Sequence, residues 1–319
     1  MKFQIDLSDS DQRLDKWIKR KFLKVPQSLL EKCCRKGQIK LNGKNTKLSY
    51  KIKVGDFIET PSFKSKKRIK TNINKNDLRI LKKKIINNII YKDNDKIIIN
   101  KPSGVAVHRG TKTLLSICDL LDELQFDSKE KPRIVHRIDK ETSGLLIIAR
   151  TYKSSVYFSK EFNKKKIEKF YIAILNGIPK KNEGKMVNQI KDNKNKTSIT
   201  RYIILRKIEK KFSFILLKPE TGKKRQIRKH CFQLGCPIVG DKKFLKKLDG
   251  NKNIKYNKLF LHAYKLKIKS LDNKKEDFTA PLPNHIIKFL YSHNVYIKEN
   301  CINKFVKSDI LKGVKKLKN

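Results

Sequence analysis

Apolar positions recur at helical or strand spacing along most of the chain. In "RLDKWIKRKFL", Leu14, Trp17, Ile18 and Phe22 fall on one side of a helix. "VPQSLLEKCCRKG" predicts a second helix: Pro26 precedes it, Ser28 and Glu31 have capping-box spacing, and Gly37 is placed to end it. "QIKLNGKNT" alternates Ile39 and Leu41 around Lys40, with Asn42-Gly43 as a hairpin turn, and "YKIKVGDFIE" predicts a further strand pair. Residues 61–85 are Lys-rich without an apolar period, which predicts an extended basic linker. From Ile86 short β-branched runs take over, "NIIYKD" and "KIIINKP", followed by the alternating "GVAVHRG". "TLLSICDLLDELQF" has helical spacing from Leu114 to Leu124, and "TYKSSVYFSKEF" and "KRQIRKHCFQLG" predict two more helices. "KFYIAILNG", "SITRYIILRKI", "FSFILLKPE" and "LFLHAYKLKI" predict strands. Strands in hairpin-like succession with helices scattered between them predict an α+β fold with a mixed, mostly antiparallel sheet. The chain divides into a small helix–helix–hairpin domain (1–60), the linker (61–85), a large domain (86–290) and a loosely attached basic extension (291–319).

Charge changes this picture most. The 319 residues carry 79 Lys and Arg against 30 Asp and Glu, a net +49. A field of that sign concentrates phosphate polyanions and speeds their arrival. Nucleic acid is the first partner to consider and an anionic membrane the second. Part of the excess follows from a Lys-, Ile- and Asn-rich composition that extends into the loops. No apolar run approaches the ~18 residues of a membrane-spanning helix, and the N-terminus has no signal-peptide core. The six cysteines, Cys33, Cys34, Cys118, Cys231, Cys236 and Cys301, form no C-x-x-C pair, and the six histidines are scattered. The expectation is a soluble, cytoplasmic monomer without metal or cofactor and without a disulfide framework.

The candidate chemistry lies in "RIVHRIDKETSGLLIIAR", where two apolar runs flank a polar knot containing His136, Arg137 and Asp139. A lone Asp after a strand is commonly a turn or helix cap, and Thr142 and Ser143 nearby suit that reading. A carboxylate that acts as a nucleophile must instead stay ionised in a cleft; burial opposes this and a nearby guanidinium favours it. "KPETGKKRQIRKHC" supplies guanidinium groups: Arg225 and Arg228, three apart on the predicted helix, can face one side. The plain alternative is a basic helix face that only binds RNA.

Two resemblances sharpen the reading. Residues 12–59 resemble the small RNA-binding module first seen in the ribosomal small-subunit protein S-four, through the Arg-Leu-Asp start, "RKGQIKLNGK" and the closing "GD". The resemblance implies that a basic helix pair and hairpin grip structured RNA, here through Arg13, Arg35, Lys36, Lys40 and Lys44. "HRIDKETSGLL" resembles the signature of the RluA-type pseudouridine synthases, with "NKPSGVAVHRG", "EKFYIAILNG" and "KPETGKKRQIRKHCFQLGCPIVGD" in the expected order and "DFTAPLP" near the end. The pairing of both resembles the RluC and RluD subgroups. It implies a pseudouridine synthase fold over 86–290 and an enzyme that isomerises uridines in structured RNA, most of all large-subunit ribosomal RNA. Asp139 falls on the family's catalytic aspartate, Tyr171 on the tyrosine that stacks on the base, and Arg228 on the arginine paired with the aspartate. Leu145 and Ile227 fall on pocket-lining positions; His136 and Arg137 fall on positions that support the loop and help displace the nucleotide. Where the family commonly reads "TGRTHQIRVH" this chain reads "TGKKRQIRKH", so Lys223 and Arg225 stand at altered RNA-contact positions. The competing reading is a non-catalytic RNA-binding or ribosome-assembly factor. A carboxylate-dependent glycosidase fares worse, since it wants two facing acids.

Overall fold

The computed structural model describes residues 1–6, 9–10, 12–22, 25–63, 74–110, 115–190, 196–249, 256–308 and 311. The chain forms two compact units, Met1–Asn72 and Ile73–Asn319.

The first unit begins with β1 (Lys2–Gln4), α1 (Leu14–Lys21) and α2 (Gln27–Arg35), followed by β2 (Lys40–Leu41), β3 (Lys44–Asn45) and β4 (Phe57–Glu59). The strands form an antiparallel sheet in the order β1-β4-β2-β3. Leu14, Trp17 and Ile18 of α1 pack with Leu30, Ile39 and Ile58 in one core. Asn42 and Gly43 both take positive φ, 50° and 75°, as the hairpin requires. Asp56 closes the unit: its carboxylate accepts from Asn42 Nδ2 and the Lys53 N–H, so "GD" is a structural clasp. Two expectations change here. Pro26, not Ser28, is the N-cap of α2, and no side chain caps it. "YKIKVGDFIE" yields only β4, since Asp56 folds the segment before it into a turn.

The second unit contains α3 (Lys75–Ile86), β5 (Ile89–Lys92), β6 (Lys96–Lys101), β7 (Arg133–Ile134), β8 (Ser143–Ala149), α4 (Tyr152–Asn163) and β9 (Glu168–Asn176). There follow β10 (Glu183–Ile190), β11 (Lys196–Ile208), β12 (Phe212–Pro219), α5 (Gln226–Gln233), α6 (Lys242–Asp249), β13 (Leu261–Lys269), β14 (Lys275–Thr279), α7 (Asn284–Ser292) and α8 (Glu299–Val306). The sheet runs β10-β11-β12-β9-β13-β8-β6-β5, with β14 beside β13 and β7 beside β8. The β13–β8 pair is parallel; the other named pairs of this sheet are antiparallel. The fold is thus α+β with a mostly antiparallel sheet.

β8 explains itself by alternation. Leu146 and Ile148 enter one core with Ile97 and Ile99 of β6; Leu145 and Ile147 enter another with Phe158 of α4. A strand covered on both faces reads as an unbroken apolar run. At its start, Gly144 (φ 107°) pairs with Ala263; a Cβ there would lie 2.6 Å from Ala263 N.

Four expectations fail in this unit. The supposed linker contains α3, capped by Asn74, whose side chain accepts from the Asn76 N–H. Leu81 and Ile85 are buried in the core under the sheet while Lys83 and Lys84 stay exposed; residues 64–73 lie outside the described residues. Among the described residues of "TLLSICDLLDELQF", from Leu115 on, the helical element is a 3-10 turn over Ile117–Leu120, where Ser116 and Asp119 cap each other; "GVAVHRG" forms an isolated bridge, Ala106 with Ser116. The supposedly loose extension holds α8, whose Ile302 and Val306, with Leu311, are buried in the largest core. Residues 312–319 lie outside the described residues. Among the described residues, no helix is long and apolar enough to cross a membrane.

Candidate active site

The knot between β7 and β8 peels away from the sheet because a side chain replaces the backbone partner. β7 pairs with β8 at Ile134–Ile148; one step on, the Ile147 N–H donates to His136 Nε2 at 2.8 Å. The half-buried His136 ring also stacks on Phe162, centroids 4.1 Å apart. Burial, then the Lys169 charge, holds its pKa down at about 3, so His136 is a neutral acceptor that supports the loop. The Asp139 carbonyl accepts the Thr142 N–H in a turn, and the carboxylate is directed elsewhere.

Its partner is Arg228 of α5. Arg228 Nη1 donates to Asp139 Oδ2 at 3.5 Å, while Nε and Nη2 fork the two oxygens of Asp241, each at 2.7 Å. The Asp241 side chain is 1% exposed and that of Arg228 8%. Burial opposes the charge on Arg228, but the Asp241 fork and the Asp139 carboxylate more than offset it, and the pKa rises. Asp241 also accepts from the Lys243 and Phe244 N–H groups at the start of α6. Sequence reasoning assigned Asp241 no role, although it ends the quoted "CPIVGD".

Gln226, Ile227 and Arg228 of α5 line a cleft, and Gln226 and His230 bond to β11. Gln226 Nε2 donates to the Ile199 carbonyl and Thr200 Oγ1, and its Oε1 accepts from Thr221 Oγ1. His230 bridges Thr200 and Ser198 through its two ring nitrogens, 2.9 and 3.0 Å away. The "QIR-H" string therefore clamps α5 to the sheet while presenting its arginine.

The cleft has a volume of about 840 Å³. Asp139, Tyr171, Arg228, Ile227, His136 and Arg137 all line it, as do Lys223 and Arg225. Leu145 does not; strand alternation buries it beside Ile147 and Phe158. Leu261 is instead an apolar lining residue from the neighbouring β13. Tyr171, central in β9, has its hydroxyl pKa raised by burial and by the Asp139 charge. Lys169, two residues earlier and on the same strand face, also lines the cleft; burial and the Lys165 and Lys218 charges lower its pKa. Nothing in its spacing marked it beforehand.

One further group fixes the loop. Lys101 is fully buried and its Nζ donates to the carbonyls of Pro102, Val105 and Lys140. The Gly104 N–H also donates to Lys140, and Ser103 Oγ to the Glu141 carbonyl. "NKPSGV" is thus a bracket behind Asp139. Burial presses the Lys101 pKa to about 7 despite the Glu141 and Asp139 charges.

In the first unit, Arg35, Lys36, Lys40 and Lys44 are exposed. Arg13 is exposed too, but its guanidinium grips Asp15 through Nε and Nη2, so it braces the start of α1.

Comparison with known proteins gives the family. The RNA pseudouridylate synthase family profile matches residues 95–233, and that of the S4 domain matches residues 12–58. The chain is 35% identical over 293 residues to the ribosomal large subunit pseudouridine synthase C of Rickettsia felis, covering 85% of this chain and 93% of that one. It is 34% identical over 299 residues to the protein of the same name from Buchnera aphidicola subsp. Schizaphis graminum, covering 88% and 93%. Among solved structures, human RNA Pseudouridylate Synthase Domain Containing 4 superposes with a TM-score of 0.62 at 25% identity, covering 71% of this chain and all of that one.

Proposed function

Because the chain belongs to the RNA pseudouridylate synthase family, we propose that it isomerises uridines of large-subunit ribosomal RNA to pseudouridine, with Asp139 acting on an everted uridine. The observation that carries this reading is the Asp139–Arg228 pair at the rim of a cleft with aromatic and aliphatic walls. Base eversion costs a few kcal/mol, which contacts in the cleft must offset. Tyr171, Ile227 and Leu261 offer surfaces for the uracil ring.

The reaction breaks the bond from ring nitrogen to ribose, turns the base, and joins a ring carbon to the same ribose carbon; the proton on that ring carbon departs. Asp139 starts the cleavage, by attack on the sugar or ring or by removing a ribose proton. Arg228, held by Asp241, keeps a cation beside the carboxylate throughout. The raised pKa of Tyr171 leaves a neutral phenol near neutrality; it stacks and donates a hydrogen bond, and it accepts no proton before it has given one. One chain carries all these groups, so a monomer suffices for the reaction. Arg35, Lys36, Lys40 and Lys44 add a separate grip on the RNA phosphates.

The test is Asp139→Asn on a ribosomal RNA transcript bearing 5-tritiated uridine. Tritium release should vanish while RNA affinity stays within about twofold. Full release by the variant would end the assignment, and unchanged pseudouridine maps of ribosomal RNA from cells lacking the gene would end the substrate.

A further inference from the structure

The cleft has a neighbour. A second cavity, of about 530 Å³, lies across the Asp139–Arg228 pair. Both cavities are lined by Arg137, Ile138, Asp139, Lys224, Arg225 and Arg228, so the ion pair and Arg225 form the partition between them. Their other walls differ. The first adds Phe162, Tyr171 and Ile199. The second adds Lys140, Lys242 and Lys243, with Glu141 as its one further carboxylate, and no Phe, Tyr or Trp among the described residues. A cavity rich in cations and poor in stacking surface suits phosphate and ribose better than a base.

A uridine within RNA carries a phosphate on either side of its ribose, so when its base fills the first cavity a flanking phosphate comes within reach of the partition. Arg225 stands there in the left-handed region, φ 55° and ψ 31°, at the head of α5. A non-glycine residue persists in that region when its surroundings over-determine it; here the Gln226 network does so. Lys224 and Arg225 also occupy positions where this chain departs from the pattern it resembles, gaining positive charge at the partition.

We propose that the second cavity is a subsite for the phosphodiester and ribose of the nucleotide adjoining the target uridine, held by Lys224, Arg225 and Lys242. This rests on the isomerase reading and adds where the strand runs.

The test uses the full chain and a stem-loop RNA containing a uridine mapped as modified by the wild-type protein. Each phosphate beside that uridine is replaced in turn by a neutral methylphosphonate. In the wild type, one replacement should raise KM about fivefold, the scale of a partly exposed charge pair. In Lys242→Gln the same replacement should change KM by less than about twofold, because the partner charge is already gone. Lys275→Gln, on β14 and outside both cavities, should respond as the wild type does. Equal sensitivity of the wild type and Lys242→Gln, or indifference of the wild type to both replacements, would overturn the subsite. RNA affinity measured by filter retention on the same set of proteins and substrates should follow the same pattern without turnover. Failure of the wild type to form any pseudouridine would instead strike the parent reading, so the two failures separate.

Discussion

Arg228 divides its guanidinium between two acids, and the division assigns them different work. The buried Asp241 fork holds the side chain in place, and Asp139, 24% exposed, takes the remaining edge. Asp241→Asn should therefore lower single-turnover tritium release about 100-fold and lower stability by about 3 kcal/mol, since it leaves a buried cation short of its counter-charge. Asp139→Asn should lose turnover with a denaturation midpoint close to wild type. Two other buried side chains set a pH response. Burial lowers His230 and His262 to about 4 in the fold, whereas an unfolded histidine titrates near 6.5. The unfolded state thus takes up protons first as pH falls. Stability is complete above about 6.5 and should fall by up to about 1.4 kcal/mol per pH unit for each histidine on the way to 4. Urea midpoints at pH 7 and pH 5, compared with His262→Asn, would check this; no pH trend would refute it. At this scale motif order singled out Asp139, Tyr171 and Arg228, which the fold brings to one cleft. It hid Asp241 and Lys101, because a buried counter-ion and a buried bracket have no periodicity of their own. It misplaced Leu145, because in a strand covered on both faces apolarity does not say which face a residue takes.

Elements were legible where one apolar period dominated. α1, α2, α4, α5 and the long strands β9, β11, β12 and β13 stand where alternation or helical spacing put them. α3 was hidden because seven of its twelve residues, KNDLRILKKKII, are polar, and charge density masked the stripe of Leu78, Leu81 and Ile85. The opposite error befell the leucine-rich segment after 114, where reciprocal capping by Ser116 and Asp119 closes a tight turn. The strand junction at Gly144 has its own consequence. Any side chain there meets Ala263 backbone and must also adopt positive φ. Gly144→Ala should cost about 2–4 kcal/mol, combining overpacking with strain, read from the urea midpoint; a loss below about 0.5 kcal/mol would show that β13 can yield.

For the molecule as a whole, the net charge of +49 makes RNA affinity depend steeply on salt. The log–log slope should be about −0.7 for each single-strand phosphate contacted, more in duplex regions, and a slope near zero would discount the basic surfaces. Charge was readable from composition, but the role of the C-terminal residues was not. α8 looked like a basic tail, yet Ile302 and Val306 fill the main core. Ile302→Ala should cost about 2–4 kcal/mol; an unaltered melting temperature would mean the helix is dispensable.

The parallel seam between β8 and β13 joins Ser143 to His262 across 119 positions of chain. Contacts of such separation form late, after the entropy of closing a long loop has been overcome. The loop bearing Asp139 lies immediately ahead of that seam, and Asp241, which clamps Arg228, lies at the start of α6, the element before β13. During translation, a nascent chain halted between about residue 60 and residue 261 has its S4 domain but lacks the strand that locks the loop bearing Asp139. Such a chain could grasp RNA before it could modify it, and turnover would begin only once β13 had emerged and docked.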